Sequence, residues 1–159
     1  MTKPKLTLYH YWRSSCSWRV RWALAIKKIP CKLVAVNLLE SEHQQESYLE
    51  KNPSGQVPCL KIGDSHFSES LAILEGLEEN YPQPALLPQN THEKMRVREL
   101  SYLIASGVQP LQNLKAQKHF ANDKKKQHDY ALYWIRKGLT SFETLARPSS
   151  QNYTYGNNV

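Results

Sequence analysis

The sequence has few cysteines, and they are widely separated. Cys16, Cys31 and Cys59 form no CxxC pair, and their number is odd. Disulfide frameworks and zinc sites normally use paired, regularly spaced cysteines, so neither a disulfide framework nor a metal site is expected. Three free thiols fit a reducing compartment, and we therefore expect a cytoplasmic protein.

Long apolar segments are also lacking. No run of 18 apolar residues occurs, so we expect no membrane-spanning helix. Residues 1–5 lead directly into a short strand-like stretch, without the apolar core of a signal peptide. The chain has 159 residues, of which 40% are hydrophobic. This is enough for the core of one domain or of two small domains.

Acidic residues are scarcer than basic ones. Fourteen Asp and Glu stand against 21 Lys and Arg, and the formal net charge is +7. The excess lies at Lys115, Lys118 and residues 124–126. Without a recognised nucleic-acid-binding motif, we interpret this stretch as a solvated loop between two helices and expect no nucleic-acid partner. A basic surface would still attract anionic small molecules.

The first half of the chain predicts a mixed α/β domain. Residues 6–11 alternate like a strand, residues 17–28 have an apolar helical face, and residues 32–38 are β-branched and apolar. Together they make a βαβ unit. Two short strands and a helix are predicted further on, at residues 59–62, 65–67 and 68–81. Residues 40–52 predict a short exposed helix or a long loop.

The second half of the chain predicts helices only. Three prolines at residues 82–89 indicate a linker. Asn90 and Glu93 resemble a capping box, and apolar residues then recur at helical spacing. Pro110 should kink or break that helix. A last helix is predicted from about residue 123 to residue 146.

The corner between the first strand and helix carries the most chemistry. Ser14, Ser15 and Cys16 end in hydroxyl or thiol groups, where a helix start presents free N–H groups and its positive dipole end. A thiolate would be stabilised there, whether it belongs to Cys16 or to a bound thiol. The alternative is that Ser15 only caps the helix and Cys16 is a small packing residue.

Two further segments predict ligand contacts. Val57-Pro58 opens the third strand, and a cis bond there would present the Val57 backbone N–H and C=O to a ligand. Glu69 and Ser70 lie at another helix start; the alternative for Glu69 is that it serves only as a first-turn acid. These segments and the corner would converge near one end of a small sheet.

Four motifs, in this order, resemble the zeta class of glutathione transferases. They are the corner at residues 14–21, the Asn-Pro-x-Gly-Gln-Val-Pro segment at 52–58, the Glu-Ser-Leu-Ala-Ile segment at 69–73, and residues 109–114. In this family the second of these segments leads to a cis-proline, so the resemblance implies that Pro58 is cis. The resemblance covers essentially the whole chain.

The resemblance implies an α/β thioredoxin-like domain followed by an all-α domain. The expected boundaries are residues 1–81 for the first domain, 82–89 for the linker and 90–159 for the helical domain. Members of this family are usually homodimers. The family's later helices would be missing, so we expect the glutathione transferase architecture to be incomplete at the C-terminus.

The resemblance also implies glutathione as the cofactor and Ser14, Ser15 and Cys16 as the catalytic residues. The thiolate would add to maleylacetoacetate, an anionic diketo acid, and its later loss would leave fumarylacetoacetate. Arg13 and Arg19 would steer this substrate, or would simply lie on the helix surface. The expected glutathione contacts are Ser14, Ser15, Cys16, Ser17, Gln45, Val57, Pro58, Glu69, Ser70, Gln109 and Asn113.

Four functions remain open at this point. The first is the isomerase of tyrosine and phenylalanine catabolism, and the second is a transferase acting on other small electrophiles such as haloacids. The third is a glutathione-binding or dimerising module without turnover. The fourth is a glutaredoxin-like oxidoreductase that uses Cys16. Gln45 and Gln109 each have a simpler reading, as an exposed polar residue and as a helix-groove filler.

Overall fold

The computed structural model describes residues 5–157. The chain divides between Leu86 and Leu87 into two compact units, and this boundary falls inside the segment expected to be a linker. The first unit contains the sheet and its covering helices. The second unit is helical in its described part.

The first unit is built on a mixed four-stranded sheet in the order β2–β1–β3–β4. Strand β1 pairs in parallel with β2 and antiparallel with β3, and β3 pairs antiparallel with β4. This confirms the thioredoxin-like arrangement. The strands are β1 (Leu6–His10), β2 (Cys31–Ala35), β3 (Cys59–Ile62) and β4 (Ser65–Phe67).

Helix α1 (Ser15–Ile26) connects β1 to β2 and differs from the prediction at both ends. It begins two residues earlier than predicted because Ser14 supplies the cap. It ends before Lys28, which takes a left-handed backbone conformation with φ of 52°. The chain therefore enters β2 one residue earlier than predicted and leaves it at Ala35.

Of the two alternatives predicted for residues 40–52, the structure has the short helix rather than the long loop. These residues form a 3₁₀ turn (Glu42–Gln44) and the one-turn helix α2 (Glu46–Leu49). The segment is not wholly exposed, because the Tyr48 ring is buried. Helix α3 (Ser70–Asn80) follows β4 and is two residues shorter at its start than predicted.

The first unit has two apolar clusters. Because side chains alternate across a strand, the clusters lie on opposite faces of the sheet. The larger joins β1 and β3 to α1 and α3 through Leu6, Leu8, Val20, Ala23, Leu24, Ile29, Leu60, Ile73 and Leu77. The smaller one contains Val36, Tyr48, Val57 and Cys59.

The second unit begins with α4 (Thr91–Tyr102), which the Asn90 side chain caps as predicted. A π-helical segment (Leu103–Val108) then precedes α5 (Gln109–Gln112). Pro110 lacks the N–H that a continuous helix needs, which accounts for the predicted irregularity. Helix α7 (Lys124–Ala146) follows the predicted bounds closely, with Asp123 as its cap.

The interpretation of the basic stretch as a loop was wrong. Asn113 caps a separate helix, α6 (Leu114–Phe120), which carries Lys115 and Lys118. The three lysines at residues 124–126 lie in the first turn of α7. The sequence signal that was missed is Asn113 itself, since asparagine is among the strongest helix-capping residues.

Burial in the second unit is sparse. Its buried apolar residues are Leu100, Val108, Ala131 and Ala146, whereas Leu139 of α7 is half exposed. Among residues 5–157, no helix is long and apolar enough to cross a membrane.

Candidate functional site

The strand-to-helix corner is held by two serines. The Ser14 hydroxyl accepts a hydrogen bond from the Ser17 N–H at 3.1 Å, which caps α1. The Ser17 hydroxyl is fully buried and accepts from the Tyr11 N–H at 3.4 Å. Ser17 therefore stabilises the corner from the protein interior, while Ser14 and Ser15 remain at its surface. Within the described chain, the Ser15 and Cys16 N–H groups have no backbone acceptor.

Cys16 differs from the other two cysteines in its surroundings. It is the second residue of α1 and is partly exposed. Cys59 is completely buried, and burial raises the pKa of its thiol, with Lys51 opposing the effect. Burial also raises the pKa of Cys31. Both of these thiols are thus kept protonated, which leaves Cys16 as the cysteine suited to thiolate chemistry.

The segment before Val57 is held by buried polar side chains. Asn52 is 2% exposed and donates from its amide to the Gln56 carbonyl at 2.8 Å. The Tyr48 hydroxyl donates to the same carbonyl at 2.6 Å. The Val57–Pro58 bond is cis, as predicted. Among the described residues, the Val57 N–H and C=O have no hydrogen-bond partner, so both are available to a ligand.

Gly55 lets this segment fold tightly. Its φ is +60°, and a side-chain carbon there would lie 2.7 Å from the Gln44 amide nitrogen and 3.1 Å from the His43 carbonyl oxygen. Only glycine adopts this backbone without strain at such close approach. The backbone geometry that positions Val57 therefore requires glycine at position 55.

The start of α3 forms the other end of the site. Glu69 precedes the helix with φ of 66° and ψ of 106°, a region that costs a non-glycine residue on the order of 1–3 kcal/mol. Its side chain is exposed. Ser70 is 6% exposed, and its hydroxyl accepts a hydrogen bond from the Arg19 guanidinium at 2.6 Å. Such strain is often retained at binding sites.

Two other arginines surround the corner. Arg21 donates to the Trp12 carbonyl at 3.0 Å and so restrains the loop before Ser14. The Arg13 guanidinium lies 5.7 Å from the centre of the exposed Trp12 ring. Burial, followed by the Arg21 charge, lowers the pKa of His10, which keeps this imidazole neutral.

The structure brings the predicted segments of the first unit together. The Arg19–Ser70 hydrogen bond joins the starts of α1 and α3. Tyr11, at the corner, packs against the apolar cluster that contains Val57. Gln45 is exposed at the start of α2 and makes no capping bond with its side chain. Among the described residues, its side chain makes no hydrogen bond, ion pair or ring contact with the corner.

The two predicted contacts of the second unit lie at helix starts. Gln109 is the first residue of α5. The Asn113 side chain accepts from the Lys115 N–H at 3.0 Å, so it serves as a helix cap. A ligand contact for either residue stays a prediction.

Sequence reasoning missed several residues that position the site. Asn52 and Tyr48 support the Val57 segment, and Arg21 supports the corner. Lys27 is buried and ties α1 to the chain beyond α3. Its signal was visible: Lys27 follows Val20, Ala23 and Leu24 on the apolar stripe of α1, where an exposed lysine is out of place.

The chemistry of the donor set favours an anionic, peptide-like ligand. Two helix starts offer free N–H groups, and Val57 offers the donor and acceptor of one extended residue. Among the described residues, no cluster of three or more His, Cys, Asp or Glu side chains could hold a metal ion.

Comparison with known proteins agrees with this donor set. Residues 8–85 match the family model of the glutathione S-transferase N-terminal domain. A probable maleylacetoacetate isomerase 2 of Drosophila melanogaster is 44% identical over 154 residues, which are 96% of this chain and 67% of that protein. The chain belongs to the zeta class of glutathione transferases.

Solved structures of this class have the same fold. The holo structure of maleyl pyruvate isomerase, a bacterial zeta-class enzyme, is 34% identical and superposes with a TM-score of 0.90, covering 96% of this chain and 74% of that one. Maleylacetoacetate isomerase from Anaeromyxobacter dehalogenans, with glutathione bound in its active site, is 36% identical with a TM-score of 0.86. That match covers 99% and 76% of the two chains. The chain therefore spans about two thirds to three quarters of the length of these relatives.

Proposed function

We propose that this protein catalyses the glutathione-dependent cis–trans isomerisation of maleylacetoacetate to fumarylacetoacetate, a step of tyrosine and phenylalanine catabolism. The observation that carries the proposal is the corner at Ser14, Ser15 and Cys16, which combines hydroxyl and thiol groups with the free N–H groups of α1. The 44% identity to a probable maleylacetoacetate isomerase supports the choice of reaction.

The residues of the first unit fit glutathione. The unpartnered backbone groups of Val57 match the backbone of the cysteinyl residue of the tripeptide. The buried Ser70 and the free N–H groups at the start of α3 suit the α-carboxylate of the γ-glutamyl residue. Glu69 is exposed beside them and suits the neighbouring α-ammonium group. The corner would then receive the thiol.

When bound, glutathione would supply a thiolate whose reversible addition to the cis double bond permits rotation about the resulting single bond. The chain's own groups stabilise that thiolate. The Ser14 hydroxyl oxygen already accepts from Ser17, so its proton is free to donate, and Ser15 contributes a second hydroxyl. The positive end of α1 adds an electrostatic contribution.

The substrate side of the proposal rests on Arg13. The Arg19 guanidinium donates a hydrogen bond to Ser70. We therefore assign Arg19 to the glutathione site rather than to substrate steering. Arg13 is exposed at the corner and pairs only with the Trp12 ring among the described contacts, which leaves its charge available to a dianionic substrate.

We further propose a homodimer located in the cytoplasm. Phe67 on the edge strand β4 is 48% exposed and offers an apolar contact to a second copy. Three free cysteines fit a reducing compartment. Sedimentation velocity of the purified chain would test the dimer.

A glutathione-binding module without turnover is the second candidate. Tyr133 and Leu139 of α7 are about half exposed, and a helical unit with so few buried side chains would give weak support to a substrate pocket. Calorimetric titration with glutathione, followed by an isomerase assay, separates the two candidates. Binding with turnover supports the isomerase, and binding without turnover supports the module.

A glutaredoxin-like activity is separated from isomerisation by Cys16→Ala. Disulfide exchange needs the Cys16 sulfur and should be abolished, whereas isomerisation should only decrease if Ser14 and Ser15 hold the thiolate. Cys31→Ala is the matched control, since burial keeps that thiol protonated. Abolished isomerisation in the Cys16 variant would contradict the assignment of the serines.

A further inference from the structure

The hydrogen bond from Arg19 to Ser70 joins α1 to α3 across 51 residues of sequence. We propose that Arg19 is a positioning residue that prepares Ser70 and the start of α3 to bind the α-carboxylate of the γ-glutamyl residue of glutathione. This inference rests on the proposed function and adds to it a residue that acts through another.

The geometry of the bond decides how Ser70 can act. A serine hydroxyl has one proton to donate and two lone pairs to accept, whereas a guanidinium can only donate. Since Arg19 donates to Ser70 Oγ at 2.6 Å, the hydroxyl proton must point to another acceptor. Ser70 is 6% exposed and is therefore held in place. The Ser70 hydroxyl is therefore buried, and its proton is directed away from Arg19 and is free to bond a ligand oxygen.

The charge of Arg19 adds to this effect. Among residues 5–157, no carboxylate lies within ion-pair distance of Arg19, and the neighbouring Glu69 forms no pair with it. Arginine stays protonated at every physiological pH. Its unneutralised charge lies at the helix end that already carries a positive partial charge, beside the first-turn N–H groups of α3. The combination suits a carboxylate.

The other arginines of the corner have different contacts. Arg21 is bonded to the Trp12 carbonyl, and Arg13 lies against the Trp12 ring. Of these three arginines, Arg19 is the one bonded to α3. The control is Lys32→Met, because it removes an equal charge from an exposed position of the first unit, on β2, without touching Ser70 or the corner.

The test is calorimetric titration of the full chain with glutathione and two analogues. The first analogue, 4-aminobutyryl-cysteinyl-glycine, lacks the α-carboxylate, and the second, glutaryl-cysteinyl-glycine, lacks only the α-amino group. We expect Arg19→Met to weaken the binding of glutathione and of the glutaryl analogue by about 10-fold, the usual effect of a charge-assisted hydrogen bond. Binding of the 4-aminobutyryl analogue should change by less than about 2-fold, as should the binding of all three ligands to the Lys32→Met control.

A second variant keeps the test informative if Arg19→Met folds poorly. Arg19→Lys retains the charge but not the planar guanidinium, so it should give a smaller loss of glutathione affinity with the same preference among analogues. In a Ser70→Ala background, Arg19→Met should cause a clearly smaller loss than in the native chain, because only the contribution of its charge then remains.

The outcomes separate this inference from the proposed function. Equal loss for all three ligands, or no loss, would overturn the role of Arg19 while leaving glutathione binding intact. If Arg19→Met weakens only the ligands that carry the α-carboxylate, but the native chain does not isomerise the substrate, the role of Arg19 stands and the isomerase proposal is overturned. A native chain that does not bind glutathione would overturn both.

Discussion

The Ser14 hydroxyl oxygen accepts a hydrogen bond from the Ser17 N–H at 3.1 Å. One side chain thus closes the first turn of α1 and also places a hydroxyl where the thiol is expected. Ser15, the next residue, is exposed and has no capping bond. The two serines should therefore differ in their effect on stability while sharing an effect on catalysis.

We expect Ser14→Ala to lower the free energy of unfolding by about 1 kcal/mol, the usual cost of a lost helix cap. Ser15→Ala should leave stability nearly unchanged. Each variant should lower kcat more than it weakens glutathione binding, because the hydroxyl groups stabilise the thiolate rather than the tripeptide as a whole. Urea unfolding, calorimetry and an isomerase assay give the three readouts. Native turnover in a chain with both substitutions would show that the corner is not catalytic.

Lys27 should be among the most sensitive lysines of the first unit. Its side chain is fully buried, and Nζ contacts Glu78 Oε2 at 2.6 Å, the Tyr81 carbonyl at 2.6 Å and the Pro84 carbonyl at 2.8 Å. Lys27→Met would leave Glu78 and two carbonyls without this donor. We expect a loss of roughly 2–4 kcal/mol in the free energy of unfolding.

The matched control for this prediction is Lys32→Met. Lys32 is exposed on β2, so its removal should change stability by less than about 0.5 kcal/mol. Urea unfolding followed by circular dichroism measures both variants. Equal midpoints for the two would contradict a structural role for the buried ammonium group.

Periodicity predicted the elements of the first unit but not all of their ends. The bounds of β3 and β4 were correct because Pro58 and Gly63 delimit them. The start of α1 was misplaced because capping is decided by a hydrogen bond, which a hydrophobic pattern does not report. The burial of Tyr48 was missed because an isolated aromatic in a polar segment carries no periodic signal.

Residue types and motifs predicted the residues of the site. They did not predict the contacts that hold those residues in place. The corner and the Glu69-Ser70 segment could be proposed because helix starts have recognisable chemistry. The bond between Arg19 and Ser70 could not, since it depends on how α1 and α3 pack across 51 residues of sequence. The same holds for Asn52, whose burial follows from tertiary packing rather than from its neighbours.

Stability should fall in mild acid because of two imidazoles. Burial, then Arg21, lowers the pKa of His10, and burial, then Lys61 and Lys51, lowers that of His66. The unfolded chain, with a histidine pKa of about 6.5, therefore binds protons more readily than the folded protein.

The sign of the effect follows from these lowered pKa values. The contribution of the neutral imidazoles is fully present above about pH 6.5 and is lost as the pH falls towards the folded-state pKa. We expect the urea midpoint to be lower at about pH 5.5 than at about pH 7.5, and His10→Gln with His66→Gln to narrow this difference. If the urea midpoint of the double variant changed between the two pH values as much as that of the native protein, other groups would be responsible for the acid sensitivity.

Close helix packing in the second unit should make Gly138 intolerant of a side chain. A side-chain carbon added at Gly138, in α7, would overlap Val108 Cγ2 in the π-helical segment. A side-chain carbon added at Gly107 would have no atom of residues 5–157 within 4 Å, apart from the adjoining residues and the backbone of its own helical turns. Alanine normally stabilises a helix relative to glycine by up to about 1 kcal/mol, so Gly107→Ala should not destabilise the protein, whereas Gly138→Ala should.

We expect Gly138→Ala to lower the free energy of unfolding by roughly 1–3 kcal/mol, as overpacking does, and Gly107→Ala to leave it unchanged or raise it. Adding Val108→Ala to the Gly138 variant should recover part of the loss, because the overlapping methyl group is then absent. Thermal unfolding monitored at the helical circular dichroism signal measures all three. If Gly138→Ala were as stable as Gly107→Ala, α7 and the π-helical segment would not pack as closely as the structure has them.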